Sequence, residues 1–173
     1  MKTILAVVCC LSLCSIAALA QKMSAKEQAM RDQRFVDFVA QTDMVDANLG
    51  QLAEAAGSSN SVKDCAQMLV TDHTSDFHEI SDLAQKAGFR VPKAIDLENN
   101  KTTIGPFQRL KGTAFDRRYV QEMVAEHAKA IAIYKKEAAD AETPALKSYA
   151  DKTLPVLEKL LTETKDIEKA KAS

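Results

Sequence analysis

Apolar and polar positions repeat along most of this chain with the period of an α-helix. Four segments carry apolar residues three and four positions apart, the spacing that lines one face of a helix. They begin at Ser24, Ser61, Thr113 and Thr143. Alanine, leucine, lysine, glutamate and glutamine are abundant, and glycine and proline are few, which also favours helix. The pattern predicts an all-α fold of four long helices.

Capping residues precede each of these segments. The predicted capping pairs are Ser24 with Glu27, Ser61 with Asp64, and Thr113 with Asp116. In each pair a serine or threonine stands three residues before an acidic residue, the typical spacing at a helix start. Pro144 follows Thr143 at the first helical position, where proline is accepted. Gly57 and Gly88 are the predicted ends of the first two helices.

The connections between the helices predict how they are arranged. The short polar turn at 58–61 makes the first two helices an antiparallel hairpin, and a second short turn before Thr143 does the same for the last two. Residues 89–112 break the helical pattern with two prolines and two glycines. We expect them to form a long crossover, with short helical turns within 93–100 or 107–110. Two hairpins joined in this way form a four-helix bundle with ferritin-like connectivity.

The N-terminus has the three parts of a secretory signal peptide. Lys2 precedes the apolar run 4–16, and Ala18-Leu19-Ala20 forms a small-x-small cleavage site before Gln21. We therefore expect cleavage between Ala20 and Gln21 and a periplasmic or secreted mature protein. The predicted units are a signal peptide at 1–20, a lead-in containing the start of the first helix at 21–33, the bundle at 34–168 and a disordered tail at 169–173.

Other features narrow the functional classes. We do not expect lipid attachment at Cys14, because the bulky Leu13 stands where a lipidation box needs a small residue. After the signal peptide, no apolar run is long enough to span a membrane. Cys65 is then the one remaining cysteine, predicted to be a small buried apolar residue. The formal net charge is −1, with both signs interspersed, which argues against a nucleic-acid partner.

Two histidines interrupt the apolar stripes. His73 lies four residues from both Leu69 and Phe77, and His127 lies four residues from both Met123 and Ile131. This spacing predicts that both imidazoles point into the bundle. A ferritin-type di-iron site would need a glutamate three residues before each histidine. Valines stand at both of those positions, so we expect no such site.

Several short segments occur together in the order and spacing of one family. They are LGQLA (49–53), VKDCAQM (62–68), DHT (72–74), LA (83–84), GTAFDRRY (112–119), VAEH (124–127) and TLPVL (153–157). Over residues 34–168 the chain resembles the exported, ferritin-like bacterial family called domain of unknown function 4142. The resemblance implies the fold and export, whereas no activity is assigned to the family.

The resemblance also implies a set of polar residues at or beside the apolar stripes, namely Asp46, His73, Asp116 and His127. The family commonly has glutamate at the position of Asp46 and histidine at that of Leu160. Two imidazoles and one carboxylate would suit a single divalent metal such as zinc, iron or manganese. Asp116 lies eleven residues before His127, about 16 Å along a helix, so Asp46 is the better partner for the histidines.

Two interpretations compete with a metal site. The histidines could be structural, each satisfied by Asp46 or by Tyr119, Tyr134 or Tyr149, in a non-enzymatic interaction or stress-related module. Two histidines could also hold a non-covalent haem, since no attachment motif for covalent haem is present. We found no catalytic constellation, and a protein partner or a homo-oligomer stays open.

Overall fold

The computed structural model describes residues 24–172, so the predicted signal peptide and its cleavage site at Ala20 and Gln21 lie outside the described residues. The long helices are α1 (Ala25–Ala56), α2 (Asn60–Lys86), α4 (Gly112–Asp140) and α5 (Pro144–Ala172), and the crossover contains the short α3 (Leu97–Asn99). The predicted all-α fold is confirmed. Within residues 24–172 no helix is both long and apolar enough to span a membrane.

The first hairpin begins and ends largely as the sequence predicts. Ser24 is the N-cap of α1 and forms the capping box with Glu27. α2 ends where Gly88 adopts a φ of +82°, a left-handed conformation that favours glycine. The amide of Phe89 then donates to the carbonyl of Ala84 at 2.8 Å, so this end of α2 is a Schellman motif.

The predicted caps of α2 and α4 are wrong. Ser59, not Ser61, is the N-cap of α2, and Lys111, not Thr113, is the N-cap of α4. Gly112 opens α4 with a φ of +60°. The predicted partner of Thr113, Asp116, binds the turn between α1 and α2 instead, as described below. α5 begins at Pro144 as expected.

The crossover is more helical than expected. α3 is followed by a π-helical turn at Asn100–Ile104 and a 3₁₀ turn at Gly105–Phe107. Ile104 and Phe107 are buried there and pack into the core. The crossover therefore covers one side of the bundle as well as connecting its hairpins.

The last helix extends into the segment predicted as a tail. α5 continues to Ala172, through most of the predicted tail at 169–173. Alanine, lysine and glutamate are strong helix formers, and Lys169 pairs with Asp166 at 3.1 Å within the last turns. These local interactions extend the helix past its last buried residue.

α1 packs along α2 and α4 along α5, while α1 also contacts α4 and α2 contacts α5. This arrangement confirms the bundle of two hairpins. The core forms two apolar clusters at different heights. One contains Leu49, Leu69 and Met123, and the other contains Val39, Ile80 and Ile131. A buried polar layer separates them.

Candidate metal centre

The polar layer consists of four side chains from three helices. Asp43 and Asp46 project from α1, His73 from α2 and His127 from α4. Along each helix the layer lies between a residue of one apolar cluster and a residue of the other. The periodicity argument for inward-pointing histidines is therefore confirmed.

All members of the layer are withdrawn from solvent. The exposed fractions are 3% for Asp43, 0% for Asp46, 5% for His73 and 1% for His127. Burying charged or polar groups is unfavourable unless they are paired or bind a ligand. A functional role for the layer would account for this burial.

Three of these side chains converge on one point. Asp46, His73 and His127 each offer a ligand atom, and these atoms lie within 4.8 Å of one another. The two imidazole rings stack with centroids 6.0 Å apart and planes 9° from parallel. Ligands bound to one tetrahedral ion at about 2.0–2.1 Å stand about 3.4 Å apart. Modest side-chain rotations would therefore bring the three atoms onto one ion.

Asp43 holds His73 in place. Nδ1 of His73 lies 2.9 Å from Oδ1 of Asp43 and donates a hydrogen bond to it. The other ring nitrogen, Nε2, then faces Oδ2 of Asp46 at 3.6 Å. A carboxylate that binds the remote nitrogen of a metal-ligating histidine fixes its tautomer and ring orientation. Asp43 is positioned for that role.

Sequence reasoning missed Asp43, although a signal was present. Asp43 stands four residues after Val39 and three before Asp46, so the two aspartates share the buried face of α1. Two carboxylates one turn apart within an apolar stripe are uncommon, because each interrupts the core.

Several polar atoms of the layer have no hydrogen-bond partner among the described residues. They are Oδ2 of Asp43, both carboxylate oxygens of Asp46, Nε2 of His73 and both ring nitrogens of His127. An unpartnered buried polar group destabilises a fold by about 1–3 kcal/mol. The tyrosines expected as alternative partners do not satisfy His127. The hydroxyl of Tyr119 is itself unpartnered, and that of Tyr149 donates to Asp76 at 2.6 Å.

The two histidines have opposite electrostatic environments. Burial alone would lower the pKa of His73, but the hydrogen bond to Asp43 and the charges of Asp46 and Asp43 outweigh it and raise the pKa to about 9. Burial and the neighbouring His73 lower the pKa of His127 to about 3. Burial raises the pKa of Asp46 to about 6, against the charge of His73. At neutral pH His127 is therefore neutral, with a lone pair available for a ligand.

Asp116 is not a member of this cluster. Its carboxylate accepts hydrogen bonds at 2.8–3.0 Å from the hydroxyl and amide of Ser58 and from the amide of Ser59. It thereby holds the turn between α1 and α2 from α4. Of the four polar residues that the resemblance implies, the structure brings together Asp46, His73 and His127.

The close approach of α1 and α2 depends on Gly50, one turn beyond Asp46. A Cβ atom at Gly50 would lie 2.5 Å from Cγ2 of Val70 and 3.0 Å from the carbonyl oxygen of Ala66. Only glycine avoids both contacts. The backbone of α1 therefore lies directly against α2 near the layer, which places Asp46 near His73.

The chain shares its fold with solved helical proteins. A DUF305 fragment from Deinococcus radiodurans superposes with a TM-score of 0.69 at 12% identity, covering 81% of this chain and 96% of that one. CopM in the Ag-bound form gives 0.61 at 18% identity, and CopM in the Cu(II)-bound form gives 0.60 at 16%. Both CopM matches cover 80% of this chain and 96% of CopM.

A search of curated proteins found no match. A family model described as "Domain of unknown function (DUF4142)" matches residues 17–167, which span nearly the whole chain and all four long helices up to the last turns of α5. This chain therefore belongs to the DUF4142 family.

Proposed function

We propose that this protein binds a single divalent transition-metal ion through His73, His127 and Asp46. The observation that carries the proposal is the convergence of three fully buried ligand atoms that have no hydrogen-bond partner among the described residues. The predicted signal peptide would place this activity in the periplasm or outside the cell. We propose no catalytic role for the cluster.

Each member of the layer has a distinct role in this proposal. Nε2 of His73, after the ion has displaced its proton, and one ring nitrogen of His127 donate lone pairs to the ion. Asp46 supplies an oxygen ligand and a negative charge. Asp43 keeps the proton of His73 on Nδ1 and thereby leaves Nε2 for the ion. Since three protein ligands leave a tetrahedral position open, a water molecule or another small ligand could complete the coordination.

The donor set favours some metals over others. Imidazole nitrogen suits zinc, copper, iron and nickel, whereas softer ions prefer thiolate or thioether sulfur. Cys65 is buried elsewhere in the core, and burial raises the pKa of its thiol to about 11, so it is not a ready ligand. CopM, which has the same fold, has been crystallised with Ag and with Cu(II). Copper therefore joins zinc, iron and manganese among the ions to test.

The experiment is metal analysis of protein purified without a histidine tag, followed by titration with Zn²⁺, Cu²⁺, Fe²⁺ and Mn²⁺. We expect one ion per chain for the wild-type protein. The double variant His73→Ala, His127→Ala should bind none at the same concentrations. His78→Ala is the matched control, because His78 is exposed and lies one residue beyond the apolar stripe. A wild-type protein that binds none of these ions would refute the proposal.

A structural role is the second candidate, favoured by the way two carboxylates flank the ring of His73. In this case the layer would specify how α1 and α2 pair. It predicts that metal ions leave the melting temperature of the wild-type protein unchanged and that His73→Ala destabilises it. A metal-dependent rise in melting temperature that the double variant lacks would exclude a purely structural role.

A further inference from the structure

Several clefts reach the buried centre from different sides of the bundle. A cleft between α2 and α5, with a volume of about 200 Å³, is lined by His73. A cleft of about 390 Å³ between α1, α2 and the crossover is lined by Asp43 and His73. A third, of about 400 Å³, lies between α1, the crossover and α4 and is lined by Asp46. Since each touches the polar layer, shape alone does not select a route for a metal ion.

Charge distinguishes the cleft between α2 and α5. Asp72, Asp76 and Glu79 line it from α2, and their spacing places them along one face of that helix. Lys152, the one lysine or arginine in the lining, pairs with Glu79 at 2.8 Å. Asp72 and Asp76 have no lysine or arginine paired with them in the lining and lie along the path to His73.

The other two clefts are less favourable to a cation. The cleft lined by Asp43 has no other acidic residue, and Asp43 already accepts the hydrogen bond from His73. The cleft lined by Asp46 also contains Asp37, Asp96 and Glu126, together with Arg34 and Lys129. Glu126 pairs with Lys129 at 3.1 Å and Asp37 pairs with Arg90 at 3.2 Å, so most of these acidic residues are already compensated.

We propose that the metal ion enters the centre through the cleft between α2 and α5. The rim residue Asp72 attracts the ion from solution, and Asp76 receives it one turn from His73. This inference rests on the proposed function. A volume of about 200 Å³ is well above the ~10–15 Å³ that one water molecule needs, so the cleft has room for a hydrated path.

The inner end of the cleft reaches a proposed ligand, as the α1–α2 cleft also does. His73 lines the cleft with only 5% of its surface exposed, and its Nε2 has no hydrogen-bond partner among the described residues. Asp76 is held by the hydrogen bond from Tyr149 at 2.6 Å, so its carboxylate has a fixed position between the rim and the ligand. Leu157 and Leu160 of α5 complete the lining without offering a competing ligand.

An entry route affects rates and leaves the bound state unchanged. Blocking it should slow association and dissociation by the same factor and leave the dissociation constant unaltered. Removing rim charges should lower mainly the association rate and its dependence on ionic strength, because electrostatic steering is screened by salt.

The test uses a bulky plug in each of two clefts. Val156 lines the α2–α5 cleft and is 47% exposed, so Val156→Trp can fill the mouth without disturbing the core. Ala47→Trp does the same in the α1–α2 cleft and is the matched control. Stopped-flow mixing with Zn²⁺ and a chelating dye gives both rate constants. We expect Val156→Trp to lower both by at least about tenfold and Ala47→Trp to leave both within about twofold.

The surface variant Asp72→Asn keeps the test informative if a plug impairs folding. It should lower the association rate by about three- to tenfold at low salt and by less at 0.5 M salt. Unchanged rates in this variant, or slower uptake caused only by Ala47→Trp, would overturn the route. If the wild-type protein binds Zn²⁺ and every variant binds it at unaltered rates, the route alone is refuted. A wild-type protein that binds no ion refutes the proposed function.

Discussion

Replacing His127 by leucine should make the metal-free protein more stable. His127 is 1% exposed, and neither ring nitrogen has a hydrogen-bond partner among the described residues. The ring is therefore a buried polar group that receives no compensation within the protein. Leucine has a similar size, carries no polar atom and would join Met123 and Ile131 on the apolar face of α4.

The expected gain can be worked out from the environment. Removing an unpartnered buried polar group recovers about 1–3 kcal/mol, and imperfect shape matching takes back up to about 1.5 kcal/mol. We therefore expect His127→Leu to stabilise the metal-free protein by about 1 kcal/mol. For a chain of this size that corresponds to a rise in melting temperature of about 2–4 °C.

Metal should reverse the order of stability. A free ion concentration of 100 times the dissociation constant stabilises the wild-type protein by about 2.7 kcal/mol. His127→Leu lacks one of the three proposed ligands, so the metal should stabilise it little. The wild-type protein is then the more stable of the two in metal and the less stable in chelator, which is the trade of stability for function expected at a binding site.

Lowering the pH should increase the stability advantage of His127→Leu over the metal-free wild-type protein. The pKa of His127 is lowered to about 3 in the folded protein, so this histidine binds fewer protons there than in the unfolded chain. Its contribution to stability is fully present above pH 6.5 and is lost as the pH falls toward 3. At pH 5 the wild-type protein has lost about 2 kcal/mol through this residue, and His127→Leu has not.

The assay is urea unfolding followed by circular dichroism, at pH 7.5 and pH 5, with chelator and with metal. Met123→Leu, one turn earlier on α4, is the control and should shift stability by less than about 1.5 kcal/mol without dependence on pH or metal. If His127→Leu destabilised the metal-free protein by 1 kcal/mol or more, the ring would be making favourable contacts. The idea of an uncompensated ligand would then be refuted.

Other predictions concern residues that position the helices and side chains around the proposed metal site. Asp43→Asn should weaken metal binding by about 10- to 100-fold while one ion per chain still binds; calorimetric titration measures it, and unchanged affinity would contradict a positioning role. Asp116→Ala should lower stability by about 2–4 kcal/mol, because three hydrogen bonds to a charged carboxylate are lost, whereas Asp64→Ala should change it by less than about 0.5 kcal/mol. Gly50→Ala should destabilise the folded protein by about 1–3 kcal/mol despite alanine's higher helix propensity, because the new Cβ would stand 3.0 Å from the backbone of Ala66. Equal or greater stability of this variant in denaturant would refute the close-packing argument.

The sequence predicts most of the fold because its helices are locally determined. Helical periodicity and glycine or proline at the boundaries depend on neighbours in the chain, and the predicted ends at Gly57, Gly88 and Pro144 agree with the structure. The same reasoning placed His73 and His127 inside, because a four-residue spacing fixes the face of a helix whatever packs against it.

The wrong caps have a non-local cause. Ser61 and Thr113 have the spacing of caps, but the start of α2 is bound by Asp116, which is distant in sequence. Because that carboxylate holds Ser58 and Ser59, the helix begins at Asn60 and Ser61 lies inside it, where Ser61 cannot be the N-cap. The pairing of Asp116 with Thr113 fails for the same reason, because one carboxylate oriented toward the turn cannot also cap its own helix.

Asp43 was missed because a helix with a wide buried face does not distinguish a buried aspartate from one at its edge. Its role is fixed by the position of α2, which Gly50 allows to lie directly against α1. Asp43 then reaches Nδ1 of His73 and Asp46 faces Nε2, so the two aspartates, one turn apart, clasp a single ring. Neither the register of the two helices nor their separation can be read from one sequence.

The position of the polar layer between two apolar clusters explains how the bundle tolerates it. The clusters on either side bury large side chains such as Phe115 and Tyr134, and each fully buried side chain of this kind contributes about 1.5–3 kcal/mol. Three helices supply polar residues to the layer, while α5 supplies Leu157 and Leu160 at this height. A purely structural layer would be expected to recruit a partner from α5 for the unpaired ring of His127. Both ring nitrogens of His127 instead lack a partner among the described residues, which agrees better with the proposed metal site than with a purely structural layer.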